Sequence, residues 1–227
     1  MHILSKPIFL AFCVILSGCT QRFQDTNATV KEAFFGFESV DMSPEHVANL
    51  PYASAYARIN GEHRIFLVLA YAEQNPATGE TQLKWMSSDK AMIVTEKGRI
   101  IKTLSLPNAN LVSISATQTL PTPAANNTPW QAQYDWQPSY SFGHQANVQS
   151  HFIKNEWLTS LLWSKQTQLL EETVTFEALN TTMSNQFWVD EQNTILKSAQ
   201  WVVPNKLHIE LEILKPLALT QPQGNEK

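Results

Sequence analysis

A chain of 227 residues with 43% hydrophobic residues, only seven Gly and a formal net charge of −4 has ample material for a packed core, and it is neither low-complexity nor intrinsically disordered. Seven Trp, eleven Phe and five Tyr point the same way. No run of Lys or Arg occurs, which removes the electrostatic footprint of nucleic-acid binding and of a polybasic membrane patch.

The first element is a leader. Met1 to Lys6 is short and positive, Ile8 to Leu16 is apolar, and Ser17-Gly18-Cys19 follows. The apolar run is about half the roughly 20 residues that a membrane-spanning helix needs. Leu16-Ser17-Gly18-Cys19 resembles the bacterial lipobox, in which small residues admit the signal peptidase to the bond before a lipidated cysteine. Residues 1–18 are therefore read as a signal peptide and Cys19 as the lipid attachment site. The plainer alternative, secretion with Cys19 as a stray thiol, leaves Leu16 and Cys19 unexplained. Cys13 departs with the leader, so the mature domain is expected to hold together without a disulfide. One acyl chain binds a membrane only marginally and several anchor it lastingly. Thr20 stands where an inner-membrane retention signal has Asp, which favours the outer membrane, with the domain facing the periplasm.

The mature chain has 209 residues and, without Lys6, a charge of −5. Residues 19–29 read as a polar tether. Val30, Ala33, Phe34 and Phe37 fall at i, i+3, i+4 and i+7, predicting a short helix over Thr29 to Phe37. Ser43-Pro44-Glu45 supplies a cap and a proline at the first helical position, predicting a further turn up to Leu50. From Tyr52 the period becomes that of strands. Ala53 to Ile59 and Arg64 to Tyr71 flank Asn60-Gly61, a type I′ hairpin signal. A strand through Leu83, Trp85 and Ser87 follows, then a hairpin of Ala91 to Thr95 and Arg99 to Leu104, then Leu111 to Ala116. Residues 117–129, rich in Thr, Pro and Asn, read as a linker or long loop. Trp130, Ala132, Tyr134 and Trp136 then alternate with polar residues, the pattern of a half-buried strand. Further strands are predicted at Ala146 to Ile153, Trp157 to Trp163, Gln168 to Leu179, Asn185 to Val189, Ile195 to Val203 and Leu207 to Leu214, with a loose tail over 217–227.

The segments Ile93 to Thr103 and Trp188 to Ser198 align without a gap and keep Val, Glu, Ile and Lys in register. Either two β-hairpins are alike by chance, or the chain carries an old duplication. The latter predicts an all-β protein of two consecutive barrel- or sandwich-like units, 30–116 and 130–216.

Little in the chain suggests chemistry. Ser87-Ser88-Asp89-Lys90 has the S-x-x-K spacing without its companion motifs, and a turn between strands explains it. The five histidines of the mature chain share no metal-ligand spacing, and no cofactor fingerprint is present. Glu171 and Glu172 point to opposite faces of a strand and cannot by themselves make a glycosidase pair. No catalytic, metal or cofactor residue is predicted. Trp130, Tyr134, Trp136 and Trp188 suit a sugar-stacking platform, with core packing as the bland reading. Arg99 and Lys102, or Asp190 and Lys197, suit contacts to an acidic polymer or a protein partner, with a solvated strand face as the bland reading.

Leu50-Pro51-Tyr52-Ala53-Ser54, Phe66-Leu67-Val68-Leu69-Ala70, the Trp85 and Asp89 region, Gly98-Arg99-Ile100-Ile101-Lys102-Thr103, Asn185-Gln186-Phe187-Trp188-Val189-Asp190, Lys197-Ser198-Ala199-Gln200 and Pro204 together resemble the YjbF/GfcB lipoprotein family, from about Phe35 to Pro216. Asn193-Thr194 departs from the Thr-Gly that members often carry. The resemblance implies an all-β outer-membrane lipoprotein of an exopolysaccharide or capsule system, working with an outer-membrane β-barrel and a periplasmic β-grasp protein, and it brings no catalytic residues. A non-enzymatic scaffold is the leading expectation. A polysaccharide-binding module is the second and a glycan-modifying enzyme the third.

Overall fold

The computed structural model describes residues 40–125, 128–138 and 141–217; the expected leader, Cys19, the tether, the helix over Thr29 to Phe37 and most of the tail lie outside them. The helical turn at Ser43 is present as α1 (Pro44–Asn49). Ser43 Oγ accepts from His46 N at 3.2 Å, and Lys215 Nζ donates to the carbonyls of Ala48 (2.8 Å) and Leu50 (2.5 Å). Both ends of this short helix thus have partners for backbone groups that the helix itself leaves unpaired.

Twelve strands follow. They are β1 (Ser54–Ile59), β2 (Arg64–Gln74), β3 (Thr81–Met86), β4 (Met92–Glu96), β5 (Arg99–Leu104), β6 (Asn110–Ala116), β7 (Trp130–Gln137), β8 (Ser141–Thr159), β9 (Ser164–Phe176), β10 (Thr181–Val189), β11 (Ile195–Val203) and β12 (Leu207–Lys215). All-β is the class that the alternating pattern predicts. The Asn60-Gly61 hairpin forms as expected, with both residues at positive φ (49° and 75°) and Glu62 N bonded to Ile59 O at 2.8 Å.

The strands form one antiparallel sheet in the order β5-β4-β3-β2-β1-β12-β11-β10-β9-β8-β7-β6. The first strand pairs with the last, Ala57 opposite Leu211, so the meander curls into a barrel. What remains is a seam between β5 and β6, whose backbones lie side by side without a ladder. Side chains bridge it: Leu111 N donates to Thr103 Oγ1 (2.9 Å), and that hydroxyl donates to Asn110 Oδ1 (3.1 Å). Where the sequence suggests two consecutive units, the two halves contribute six strands each to a single sheet. Residues 117–129 join two strands that pair with each other, Ile114 opposite Tyr134. A polar, proline-rich segment marks a long loop as readily as a boundary, and here it is a loop.

The two similar segments form the β4–β5 and β10–β11 hairpins, and these touch. A Cβ on Gly98, which sits at φ +75°, would lie 2.5–2.9 Å from Ile195. Glycine is required there on both counts.

One predicted pair of strands, Ala146 to Ile153 and Trp157 to Trp163, is a single strand, β8. A bulge shifts its register against β9 between Phe152 and Lys154. An extra residue in a strand flips the alternation, which is why the pattern reads as two elements. Past Val148, β8 leaves β7, and the β8–β9 hairpin bends over the outside of the barrel. Leu161 and Leu162 at its tip pack with Val47, Tyr56 and Leu214, and Trp163 Nε1 donates to Ile213 O at 2.9 Å.

Candidate functional site

Arg99 starts β5 and reaches across to Glu172 on β9. The pair is bidentate, Nη1 to Oε2 at 2.5 Å and Nη2 to Oε1 at 2.9 Å, and the side chains are 2% and 0% exposed. Ser150 Oγ donates to Glu172 Oε1 (2.9 Å), and Arg99 Nη2 also donates to Pro121 O (3.2 Å). The guanidinium lies 5.2 Å from the Trp130 ring and 5.4 Å from Phe187. Burial works to lower the Arg99 pKa, but the Glu172 charge and its hydrogen bonds outweigh it and hold the group above its ordinary value. Burial also pushes the Tyr134 hydroxyl up; Arg99 pulls it down and Glu172 adds to the rise.

This centre corrects the reading of Arg99 as a surface contact. Two charges taken out of water hold each other, while the buried Arg99 Nε has no hydrogen-bond partner among the described residues. In the sequence, Glu172 stands out only as half of a carboxylate pair, and nothing gives Ser150 or Gln200 a role in the interior. Gln200 accepts from Ile100 N (3.1 Å) and donates to Gly98 O (3.1 Å), tying β11 to the β4–β5 turn. The alternation along β9 does turn Glu172 to one face, as expected of adjacent glutamates, but nothing local names an arginine 73 residues away as its partner.

The aromatic residues divide. Tyr134 and Trp136 are buried, in edge contact with Phe176 at 5.2 and 5.7 Å, and Trp136 stacks on His144 at 4.3 Å. They are core and offer no face to a sugar. Trp130 is half-buried beneath Arg99. Trp188 lies on the outside under the β8–β9 hairpin: its Nε1 donates to Glu156 Oε1 (2.7 Å) and Lys197 Nζ sits 5.1 Å over its ring. Glu156 is held below the usual carboxylate range by Lys154 and by that indole.

Asp190 shapes the β10–β11 loop. Its Oδ1 accepts from Gln192 N (3.0 Å) and Thr194 N (2.9 Å), and its Oδ2 from Lys165 Nζ (2.8 Å). Burial acts to raise its pKa, yet Lys165 and the two amides hold the carboxylate low. It is a turn-former of the Asx kind, so the structure places it in a local role.

The barrel also contains an open cavity of about 510 Å³ whose walls include Leu83, Trp85, Leu196, Leu211, Ile213 and Leu217. Glu80 is the one carboxylate among its lining residues, and Lys97 holds it at 2.7 Å. A glycosidase needs two carboxyl groups roughly 5 to 10 Å apart, which this lining does not supply. Among the described residues no group of three His, Cys, Asp or Glu is placed to hold a metal, and no helix is long and apolar enough to cross a membrane.

A family model described as group 4 capsule polysaccharide lipoprotein GfcB, YjbF matches residues 27–214. The chain is 27% identical to the lipoprotein YjbF of Escherichia coli strain K12 over 218 residues, covering 93% of this chain and 98% of that protein. It is 30% identical to the lipoprotein GfcB of the same strain over 219 residues, covering 93% and 99%. The crystal structure of the hypothetical lipoprotein YmcC from E. coli K12 superposes with a TM-score of 0.67 at 29% identity, covering 84% of this chain and 96% of that one.

Proposed function

The chain belongs to the YjbF family of group 4 capsule polysaccharide lipoproteins, and on that premise we propose that it is an outer-membrane lipoprotein, anchored through Cys19 and facing the periplasm, that serves capsule or exopolysaccharide assembly or secretion as a non-enzymatic accessory subunit. The carrying observation is that the family match spans 27–214 and begins eight residues after Cys19, which ends the lipobox-like Leu16-Ser17-Gly18-Cys19. Three features support a role in holding proteins together. Arg99 and Glu172 pair with each other in the interior, the cavity lining lacks a carboxylate pair, and two of the four candidate stacking aromatics are core. Its partners on this reading are the outer-membrane β-barrel and periplasmic proteins of the same polysaccharide system.

The test is membrane fractionation with capsule measurement. Cys19→Ala yields uncleaved or soluble protein and a loss of exported polymer, and wild-type fractionation of that variant would overturn the anchor. Incubating the detergent-solubilised lipoprotein with polymer from its own host checks the rest. Polymer of unchanged length is expected, whereas shortening would make the protein an enzyme.

A further inference from the structure

The β8–β9 hairpin carries an unpaired edge. Strand β7 pairs with β8 only as far as Val148, while β9 follows β8 on its other side to Thr159, so among the described residues no strand pairs with the outer edge from Gln149 to Thr159. Long free edges invite another strand, and native proteins normally shorten, charge or cover them. This one exposes Phe152, Ile153 and Trp157, the last at 70%. Lys154, at 55% side-chain exposure, is its one positive charge, and Glu156, two residues on and on the same face, is its one negative charge; within one chain the two already pair at 2.9 Å, so a second copy would exchange these partners across the edge.

The order of these residues is self-complementary. Place a second copy antiparallel with Asn155 of each chain opposite the other, and Lys154 of each copy faces Glu156 of its partner across the strands. The flank on each side then brings Trp157 of each against Ile153 of the other, beside the bulge. Opposite charges, and aromatic residues opposite β-branched ones, are the cross-strand pairs that stabilise a sheet. The backbone agrees with this register. Thr167 Oγ1 donates to Glu156 O at 3.0 Å, so the polar backbone groups of Glu156 face β9. Those of Asn155 and Trp157 consequently face the free edge, because successive residues in a strand direct these groups to opposite sides.

We propose that the outer edge of β8 centred on Asn155 pairs antiparallel with the same edge of a second copy of this chain, with Asn155 on the two-fold axis. The product is a continuous β9-β8-β8-β9 ribbon joining two barrels. A two-fold axis uses one surface patch twice, as the Lys154 and Glu156 placement does. Two lipid anchors then belong to one particle, which lengthens residence on the membrane for the reason that several chains outlast one.

Cysteine cross-linking on the full lipoprotein in intact envelopes tests this, since the chain has no cysteine after residue 19. Directly opposite residues whose backbones bond to each other have Cα atoms about 5.5 Å apart, inside the disulfide range. Asn155→Cys is therefore expected to give a band of twice the chain mass under mild oxidant. Gln166→Cys on β9, at least three strand spacings or about 14 Å from its mate, is expected to stay monomeric. Adding Lys154→Glu to Asn155→Cys places like charges opposite each other twice and is expected to cut the dimer band about tenfold or more. Adding Glu156→Lys as well restores it. A monomeric Asn155→Cys, a band at another protein's mass, or a charge swap that fails to restore dimer would each overturn the proposal.

Discussion

At the scale of single residues, the Arg99–Glu172 pair is the most consequential contact. Each ion alone would face a large desolvation penalty, so losing one partner costs more than the pair contributes. Glu172→Gln keeps the shape and removes the charge, leaving Arg99 uncompensated in the barrel. We expect it to destabilise the protein by about 3–5 kcal/mol in chemical denaturation. Pairing Arg99→Met with Glu172→Leu removes both charges and should recover most of that loss. If Glu172→Gln unfolded at the wild-type midpoint, the pair would have to be solvated in solution. Gln200 completes this interior from the other wall by bonding at once to Ile100 N and Gly98 O.

At the scale of elements, the β8–β9 hairpin is a clasp with two different faces. One face carries Glu156 and the buried Thr167 and Leu169 over the outside of the barrel, and the other shows Asn155, Trp157, Gln166 and Gln168 to solvent. Its tip is held by Leu161, Leu162 and the Trp163 indole. Replacing both leucines with Ser is expected to release the tip. Amide exchange at Ser160 and Trp163 should rise sharply while β1 and β12 keep their protection, the signature of local opening. Equal loss of protection across the barrel would mean that the tip belongs to the core. Most elements of this protein are legible because one face of each strand is buried and the other wet, as in β7 and β12 with their period of two. The alternation failed where geometry broke it, at the bulge beside Ile153, and it said nothing of how far β8 and β9 outrun their neighbours. The choice between stacking and core packing for the aromatics was not legible for a related reason. Alternation places Tyr134 and Trp136 on one face, and only the fold decides that this face is interior.

At the scale of the whole molecule, the barrel is closed by two unlike junctions. Strands β1 and β12, the first and last strands, meet through a backbone ladder, whereas β5 and β6, joined by a five-residue loop, meet through the Thr103 hydroxyl. Backbone ladders spread their cost over many bonds, but this seam concentrates it in one buried side chain whose hydroxyl serves Leu111 N and Asn110 Oδ1 together. Replacing that hydroxyl with a methyl leaves a buried amide without an acceptor, and such an orphan costs about 1–3 kcal/mol. Thr103→Val is the near-isosteric test. We expect a stability loss of that size together with faster exchange of the Leu111 amide, because the seam opens before the sheet does. Thr103→Ser keeps the hydroxyl and gives up one methyl, so it should retain Leu111 protection despite a packing loss of about 1 kcal/mol. Equal behaviour of the two variants would show that packing closes the seam. Slow exchange at Leu111 only in variants that keep the hydroxyl would assign closure to the hydrogen bond.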